Sequence, residues 1–400
     1  MAYYENLSKE LAAKMADEKQ NNTFKDFSFK DDLAIRRKTN THDGANVWRT
    51  AFIRDIDKIM HCPFYNRYSD KTQVMSFYKN DDLTHRSLHV QLVSRIARTL
   101  GKALNLNLDL IESIALGHDI GHTPFGHTGE KFINDIYFEK TGRYFNHNIH
   151  SVRVLDVIFP LNLSLQTLDG IAAHNGELEL NEYSPVKLDD FTQFDQQIEL
   201  CYTQKDYTLK LIPSTLEGCV VRLSDIIAYL GKDRQDAENN NLITYSQFKN
   251  YGIGTMNSEI LNNLMVNVIE NSYGKPYIKM DEKHFNALSQ AKKDNYAFIY
   301  KNQQIKKADD TISDMVKLTF EKLLNDLVSL NRSSPVYTHH LKYLNKPYLA
   351  QRRTSVYEQS EPNQIIVDYI ASMTDDYFIE LFNHLFPSST LSVKYEGYFE

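Results

Sequence analysis

A stretch dense in histidines and acids, residues 112–130, constrains this chain more than any other part of its sequence. It reads ESIALGHDIGHTPFGHTGE and contains an adjacent pair, His118 and Asp119. Ile111, Ile114 and His118 recur at helical spacing, so the imidazole continues an apolar stripe and points inward. A divalent metal ion would make this burial favourable, because it keeps a carboxylate ionised and imidazoles neutral in one place.

The residues after this pair predict a tight loop. Gly121, Pro124 and Gly126 break the helix. The loop and its end add three titratable side chains, which are His122, His127 and Glu130. This density of titratable groups is too high for a core, and the helix that leads into the loop is too apolar for an ordinary surface loop. The segment therefore indicates a site with chemistry.

The composition of the whole chain is that of a globular protein with a sizeable core. Of its 400 residues, 42% are hydrophobic and 24% are charged, which allows one large helical domain or two to three average domains. The three cysteines lack C-x-x-C spacing and indicate a reducing compartment. The N-terminus lacks signal-peptide features, and no apolar run approaches the roughly 20 residues that span a bilayer. We therefore expect a cytoplasmic protein without a membrane partner.

The formal net charge of −7 is spread along the chain, with acids and bases mixed. This distribution disfavours nucleic acid as a partner. An anionic substrate would need a local cation and a few placed lysines or arginines.

Amphipathic patterns dominate and the β-like runs are few and short, so the predicted fold class is mainly α. The helix that begins at His85 is expected to end at Gly101, with its buried line at Leu88, Leu92, Ile96 and Leu100. Two helices are predicted within 258–301, and one each at 311–330 and 363–386.

A strong helix is also predicted over residues 215–238, TLEGCVVRLSDIIAYLGKDRQDAE. Asp225, Tyr229 and Asp233 recur in it every four residues and therefore share one slowly drifting face. An aspartate in so apolar a helix needs a cation. Arg222 and a metal ion are the two candidate partners of Asp225.

Two histidines compete to complete a metal site. The helix of His85 directly precedes the one that delivers His118 and Asp119, and short connections make antiparallel neighbours. We take His85 as the ligand and His89, one turn later on the same face, as its competitor. His85, His118, Asp119 and Asp225 would leave open positions on a five- or six-coordinate ion, which indicates catalysis.

The segment before this helix has two interpretations. Gln73 offers an amide to a hydroxyl group, and Arg67 or Lys71 faces an anion. The alternative is a surface helix and turn with salt bridges.

The remaining histidines are assigned by their context. His147 and His150, near a helix start, provide an acid, a base or a phosphate donor, or are structural. His174 is interpreted as a helix-end residue. His42 follows a turn-like pattern without an apolar stripe, so its His-Asp pair is not expected to bind metal.

These segments, in this order, resemble the HD-domain metal-dependent phosphohydrolases, whose motif is H…HD…D, and more narrowly the deoxynucleoside triphosphate triphosphohydrolase (dGTPase-like) family. HDIGHTPFGHTGE is close to that family's signature. Similar recurring segments are RDIDKIMHCPFYNRYSDKTQV, LTHRSLHVQLVSRIAR, TLEGCVVRLSDIIAYLGKD and VDYIASMTDDY. The likeness spans roughly residues 50–380, with gaps at 177–210 and 303–362.

The resemblance implies an HD-domain helical bundle with additional C-terminal helices. It divides the chain into an N-terminal peripheral segment (1–50), a phosphohydrolase core (51–236) with an insertion at about 177–210, and a C-terminal helical region (237–400). The last region would complete the pocket and form an oligomer interface.

The implied activity is hydrolysis of a deoxynucleoside triphosphate, dGTP or a broader set, to deoxynucleoside and tripolyphosphate by metal-activated water at the α-phosphorus. The divalent ion would be Mg, Mn, Fe, Co or Zn. The positions that match the family's metal ligands are His85, His118, Asp119 and Asp225. Those that match the residues around the α-phosphate are His122, His127, Glu130 and His147. Gln73 and Asp233 match the contacts of the sugar 3′-hydroxyl, and Tyr229 matches the ring under the sugar. His127 is the expected proton donor to the departing 5′-oxygen, followed by His147.

Two positions depart from the family pattern, and one of them is His150, where the family often has Gln or a similar residue. Some relatives carry an arginine three residues before the first metal histidine, and for His85 that position is Asp82. Arg86 is the candidate replacement.

Family members are commonly oligomers, and several bind a nucleotide activator at a subunit interface, so we expect a homo-oligomer of this kind. Two alternatives stay open. One is an HD-type nucleotidase that acts on deoxynucleoside monophosphates, and the other is a nucleotide sensor or nucleic-acid-binding protein that uses the same pocket.

Overall fold

The computed structural model describes residues 3–39, 43–175, 180–353 and 356–397. His42 of the second His-Asp pair lies outside these ranges. Within them the regular structure is mainly helical, which confirms the predicted fold class. The helices are α1 (Lys9–Asn21), α2 (Ala51–Met60), α3 (Arg86–Leu104), α4 (Leu108–Gly117), α5 (Gly126–Thr141), α6 (His147–Arg153), α7 (Leu165–Ala172), α8 (Phe191–Thr203), α9 (Leu216–Asn239), α10 (Asn257–Ser272), α11 (Glu282–Asn295), α12 (Gln303–Lys306), α13 (Asp309–Val328), α14 (Lys342–Leu344), α15 (Pro347–Ala350), α16 (Pro362–Ala371) and α17 (Asp375–Leu385).

A single short sheet accompanies these helices in the described part of the chain. Its strands, β1 (Glu182–Tyr183) and β2 (Ile278–Lys279), are antiparallel, with Glu182 opposite Lys279. The region predicted as an insertion at 177–210 thus contributes β1 and also contains α8. The three-part division of the chain stays a prediction, and α9 continues past its expected border at residue 236.

Helix α3 packs against α4 and α9, while α2 and α7 pack on α4. One residue of the expected buried line of α3, Leu88, is instead 43% exposed. The expected end of α3 at Gly101 was wrong. The helix continues to Leu104, and Asn105 ends it in the left-handed region with φ 57°. Gly101 instead allows close packing, because a Cβ there would lie 2.3 Å from Cδ1 of Ile111 on α4.

Helix α9 is built as the sequence predicts. The Thr215 side chain accepts a hydrogen bond from the backbone of Gly218 and so caps the first turn. Its apolar residues are buried, and they include Val220, Leu223, Ile227 and Leu230. Burial of this stripe fixes the rotation of the helix and hence the direction of its polar face.

The C-terminal region differs from the single helix predicted at 363–386. It forms α16 and α17, and the Thr374 side chain caps α17 by accepting from the backbone of Tyr377. A buried ion pair fastens α16 to α6, because both oxygens of Asp368 accept from the Arg153 guanidinium at 2.7 and 2.8 Å. The Tyr357 hydroxyl donates to the same carboxylate at 2.7 Å.

No helix in the described part of the chain is both long enough and apolar enough to cross a membrane.

Candidate metal centre and adjoining pocket

The turn that carries His118 and Asp119 is held from two sides. At the end of α4, Nδ1 of His118 lies 2.7 Å from the carbonyl oxygen of Ala115. From α6, the Ser151 hydroxyl donates to the His118 carbonyl at 2.6 Å and accepts from the Gly121 amide at 2.9 Å. Only glycine fits at position 121, because a Cβ there would lie 2.2 Å from the backbone nitrogen of Ser151.

These contacts prepare His118 to bind a cation. A carbonyl oxygen only accepts, so in the neutral imidazole the proton sits on Nδ1 and Nε2 presents a lone pair. Nε2 is buried and has no hydrogen-bond partner among the described residues. A buried, unpartnered nitrogen of this kind is the position that a metal ion would fill.

His89 and Asp225 complete the group. Their side chains approach to 3.0 Å between Nε2 and Oδ1, and Asp225 lies 3.9 Å from Nε2 of His118. Asp119 Oδ2 lies 3.7 Å from the same nitrogen. Burial alone would raise the pKa of Asp225, but the hydrogen bond with His89 and the neighbouring imidazoles together outweigh it and lower the pKa to about 2. Two imidazoles and two ionised carboxylates form a donor set suited to a divalent ion. We call these four residues, His89, His118, Asp119 and Asp225, the metal-type group.

The structure does not bring His85 into this group. His85 is the residue just before α3, with an extended backbone of φ −87° and ψ 161°. Its Nδ1 is buried without a hydrogen-bond partner in the described ranges, and it does not line the pocket beside the metal-type group. His89, the competing candidate, takes the place that the sequence interpretation gave to His85.

With His89 in place of His85, the arginine expected three residues before the first metal histidine is present. Arg86 stands three residues before His89, it is only 1% exposed, and Nη1 pairs with Asp119 Oδ2. Burial opposes the charge on Asp119, but Arg86 and the neighbouring imidazoles hold the pKa of Asp119 well below its usual value. Nε and Nη2 of Arg86 have no hydrogen-bond partner among the described residues. A buried guanidinium with unused donors is suited to bind an anion.

A second cluster adjoins the metal-type group. The ligand atoms of His122, His127, Glu130 and His147 all lie within 4.8 Å of one another. Glu130 organises them, because its carboxylate lies 2.9 and 3.0 Å from Nδ1 of His147 and 3.2 Å from Nδ1 of His127. The His127 side chain is 67% exposed, whereas that of His147 is 12% exposed.

His147 is held by partners on both sides of its ring. Burial opposes its positive charge, but the Glu130 carboxylate outweighs this and raises the pKa of His147 to about 9. Its Nε2 lies 3.2 Å from Nε2 of His174. His174 in turn has Nδ1 2.7 Å from the Ile171 carbonyl, so its Nε2 is an acceptor. His147 therefore carries a proton on Nε2, which it donates to His174 in the pocket wall.

Both clusters open onto one cavity of about 450 Å³, a size suited to a small-molecule ligand. Gln73 lines it, and the side-chain oxygen of Gln73 is buried without a donor among the described residues. Tyr229 and Asp233 line the same cavity one and two turns beyond Asp225. Burial raises the pKa of Asp233 to about 7, and its carboxylate accepts a hydrogen bond from the Tyr300 hydroxyl.

The far wall comes from the C-terminal region. A π-helical turn, Tyr296–Tyr300, continues α11 and carries both tyrosines into the cavity, where Lys292 and Lys306 also lie. The sequence led us to expect that the C-terminal region completes the pocket but did not identify these residues, because short turns of this kind have no periodicity that a sequence reveals.

Arg67 is the one predicted substrate contact that lies elsewhere. Its Nη1 donates to the Ser372 carbonyl at 2.5 Å, and it lines a separate cavity of about 300 Å³. The short 3₁₀ helix Tyr65–Asp70 carries it, and Gln73 lines the other cavity. Arg86, the candidate replacement for the missing arginine, lines the first cavity, and so does His174, which was interpreted only as a helix-end residue.

Comparison with known proteins agrees with this geometry. Residues 86–230 match the HD domain family, and residues 278–384 match the phosphohydrolase-associated domain family. The first range starts at Arg86 and contains all four residues of the metal-type group.

Full-length relatives point the same way. A deoxyguanosinetriphosphate triphosphohydrolase-like protein from Desulfatibacillum aliphaticivorans is 30% identical over 84% of this chain and 88% of its own. Proteins of the same name from Clostridium tetani and Caldanaerobacter subterraneus are 31% and 30% identical, again over 84% of this chain and over 86% and 85% of their own. This chain therefore belongs to the HD-domain, deoxyguanosinetriphosphate triphosphohydrolase-like family of phosphohydrolases, as the order of its motifs predicted.

Proposed function

We propose that this protein hydrolyses deoxynucleoside triphosphates to deoxynucleoside and tripolyphosphate. One observation supports this function above the others. The two unpartnered donors of Arg86 and the metal-type group belong to the same cavity wall, so a phosphoryl group could meet both. The names of the relatives support a nucleotide substrate.

The residues that would hold the divalent ion are His89, His118, Asp119 and Asp225, with His89 in place of His85. A bound ion would supply Lewis acidity and a water molecule of lowered pKa. The remaining steps belong to the side chains of the chain itself.

The α-phosphate would lie against Arg86, which donates through Nε and Nη2. His147 holds a proton on Nε2, fixed by Glu130 behind it, and would deliver that proton to the departing 5′-oxygen. This assigns to His147 the role first expected of His127, because His127 is largely exposed. His122 and His127 would contact phosphate oxygens at the cavity edge.

The sugar would lie beyond the α-phosphate along α9. Tyr229 offers a ring for the sugar to pack on, and Gln73 and Asp233 would accept or share hydrogen bonds with the 3′-hydroxyl. A dideoxy substrate would leave the Gln73 oxygen unpaired and Asp233 with only its bond from Tyr300, and a buried group without a partner costs about 1–3 kcal/mol. We therefore expect dideoxynucleoside triphosphates to be poor substrates.

The reaction is tested by phosphorus NMR of the products formed from each dNTP. Tripolyphosphate as the only phosphorus product supports the proposal, whereas orthophosphate released from a deoxynucleoside monophosphate would support a nucleotidase instead. Asp225→Ala should abolish turnover. Full activity in that variant would refute the metal assignment.

The choice between the two histidines has its own test. Metal content after purification, measured by plasma mass spectrometry, should fall in His89→Ala and stay near the wild-type level in His85→Ala. The opposite pattern would restore His85 as the ligand. The identity of the ion among Mg, Mn, Fe, Co and Zn comes from the same measurement.

The family resemblance also leads us to propose a homo-oligomer with a nucleotide activator at a subunit interface. Light scattering would give the number of subunits. Assays with each dNTP alone and in pairs would show whether a second nucleotide raises the rate, and equal rates in all mixtures would argue against an activator.

A further inference from the structure

A second cavity of about 300 Å³ lies between the 3₁₀ helix Tyr65–Asp70 and the junction of α16 and α17. It shares no lining residue with the metal pocket. Its wall is unusually aromatic, because Phe64, Tyr343, Tyr369 and Tyr377 all contribute to it.

Arg67 places a positive charge in this aromatic wall. Its guanidinium lies 4.0 Å from the centre of the Phe64 ring. Among the described residues its hydrogen bond goes to a neutral acceptor, the Ser372 carbonyl. In the same part of the chain no carboxylate pairs with Arg67. A partly buried guanidinium without a counter-ion favours an anionic ligand.

The rings around Arg67 are fixed in position. The hydroxyls of Tyr369 and Tyr377 lie 2.6 Å apart, and Nδ1 of His339 lies 2.7 Å from the Tyr377 hydroxyl. Tyr369 stacks on His340 with 4.8 Å between ring centres. Fixed rings beside a guanidinium suit a ligand that is flat as well as charged, because stacking costs little order when the rings are already held.

The same segment touches the metal pocket on its other side. Nζ of Lys71, four residues after Arg67, donates to the Ala371 carbonyl at 2.8 Å and also to the His122 carbonyl. Asp375 accepts from the Phe125 amide at 3.0 Å and from the Thr72 hydroxyl at 2.7 Å. Residues 371–375 therefore link the second cavity to the loop of His122.

We propose that the Arg67 cavity is a second ligand site, which takes a small anion carrying one planar ring, and that its occupancy is transmitted to the His122 loop through residues 371–375. The anion would pair with Arg67 and the ring would pack among the tyrosines. This site is independent of the reaction proposed for the metal pocket.

Binding is tested on the full-length protein by calorimetry with phenyl phosphate and benzoate. Inorganic phosphate carries the charge without the ring, and phenol carries the ring without the charge, so both should bind at least about ten-fold more weakly. Whichever of the two aromatic anions binds more tightly identifies the anionic group as a phosphate or a carboxylate. Failure of both to bind at millimolar concentration would overturn the proposal.

Three variants locate the binding. Arg67→Gln keeps a donor for the Ser372 carbonyl and should weaken binding at least about ten-fold. Tyr343→Leu, at a half-buried ring, should also weaken it. Arg332→Gln is the matched control, because Arg332 also lies over a ring, that of Tyr337 at 4.4 Å, but outside the cavity. Wild-type affinity in Arg67→Gln and Tyr343→Leu would place the ligand elsewhere and overturn the site.

Hydrogen exchange tests the link to the metal pocket without any activity assay. The probe should slow exchange of the Phe125 amide in the wild-type protein and leave it unchanged in Arg67→Gln. If the probe leaves the exchange rate of the Phe125 amide unchanged in the wild-type protein, the proposed transmission to the His122 loop is overturned.

Discussion

Replacing Asp233 by asparagine removes one negative charge from the metal pocket and keeps an oxygen that accepts from the Tyr300 hydroxyl. Burial raises the pKa of Asp233 to about 7, from 3.8 for an ordinary aspartate. The folded protein therefore holds this proton more tightly than the unfolded chain does. Stability is lost as pH rises from about 4 to about 7, and the asparagine variant escapes this loss.

The size of the effect follows from the two pKa values. About three pH units separate them, which corresponds to roughly 4 kcal/mol when the loss is complete at pH 8, and about 1.5 kcal/mol of it is already present at pH 5. The advantage of Asp233→Asn should thus grow by about 2.5 kcal/mol between pH 5 and pH 8. For a chain of this length this is a growth of about 3 °C in the difference between melting temperatures.

The assay is thermal unfolding of both proteins at pH 5 and pH 8 after removal of metal with a chelator, because a nearby cation would itself lower the pKa of Asp233. Asp310→Asn serves as the control, since Asp310 is an exposed carboxyl group. Its difference from wild type should stay the same at both pH values. If the Asp233→Asn difference is also constant, or shrinks toward pH 8, the carboxyl is not held protonated by burial and the reasoning fails.

Two other substitutions test the framework of the site. Asp368→Ala leaves Arg153 buried without its carboxylate and should cost about 3–5 kcal/mol of unfolding free energy, measured by denaturant titration; a loss below about 1 kcal/mol would mean that the pair is not structural. Gly121→Ala places a Cβ 2.2 Å from the Ser151 nitrogen and should displace the His118 turn and abolish metal retention. Gly142→Ala has no atom within 4 Å, so it should cost only the roughly 1–2 kcal/mol of its left-handed backbone and retain metal; equal metal content in the two glycine variants would contradict the packing.

Periodicity predicted the parts of the site that lie within or at the end of regular helices. His118 continues the stripe of α4, and Asp225, Tyr229 and Asp233 follow one face of α9, so spacing predicted the face of each helix, and the family motif predicted that the two helices meet. The structure places all four around one pocket or in its wall. Their chemical roles stay predictions until they are tested.

Periodicity did not distinguish His89 from His85 as the metal-ligand candidate, for a physical reason. His85 precedes the first helical residue and has an extended backbone, so its side chain does not share the face of α3. His89 lies inside the helix and does share it. A signal was present in the sequence, because Arg86 stands three residues before His89, the spacing that the family pattern asks for.

Other features depended on contacts between distant segments. Gly101 reads as a helix end, and only the approach of Ile111 shows that α3 continues past it. Arg67 is six residues from Gln73, yet Ser372 and Phe64 hold it in a different cavity. The wall formed by Tyr296 and Tyr300 needs the π-helical turn after α11.

One uninterrupted helix, α9, supplies a candidate ion ligand at Asp225 and a candidate hydroxyl contact at Asp233. Eight residues of helix fix their separation along the axis at about 12 Å, and no loop between them can stretch. The two side chains are therefore held at a fixed spacing, which selects a ligand whose phosphoryl group and hydroxyl are separated by a matching distance. Deleting a single residue between them would turn Asp233 by about 100° around the axis and remove this selection while leaving the ion ligand in place.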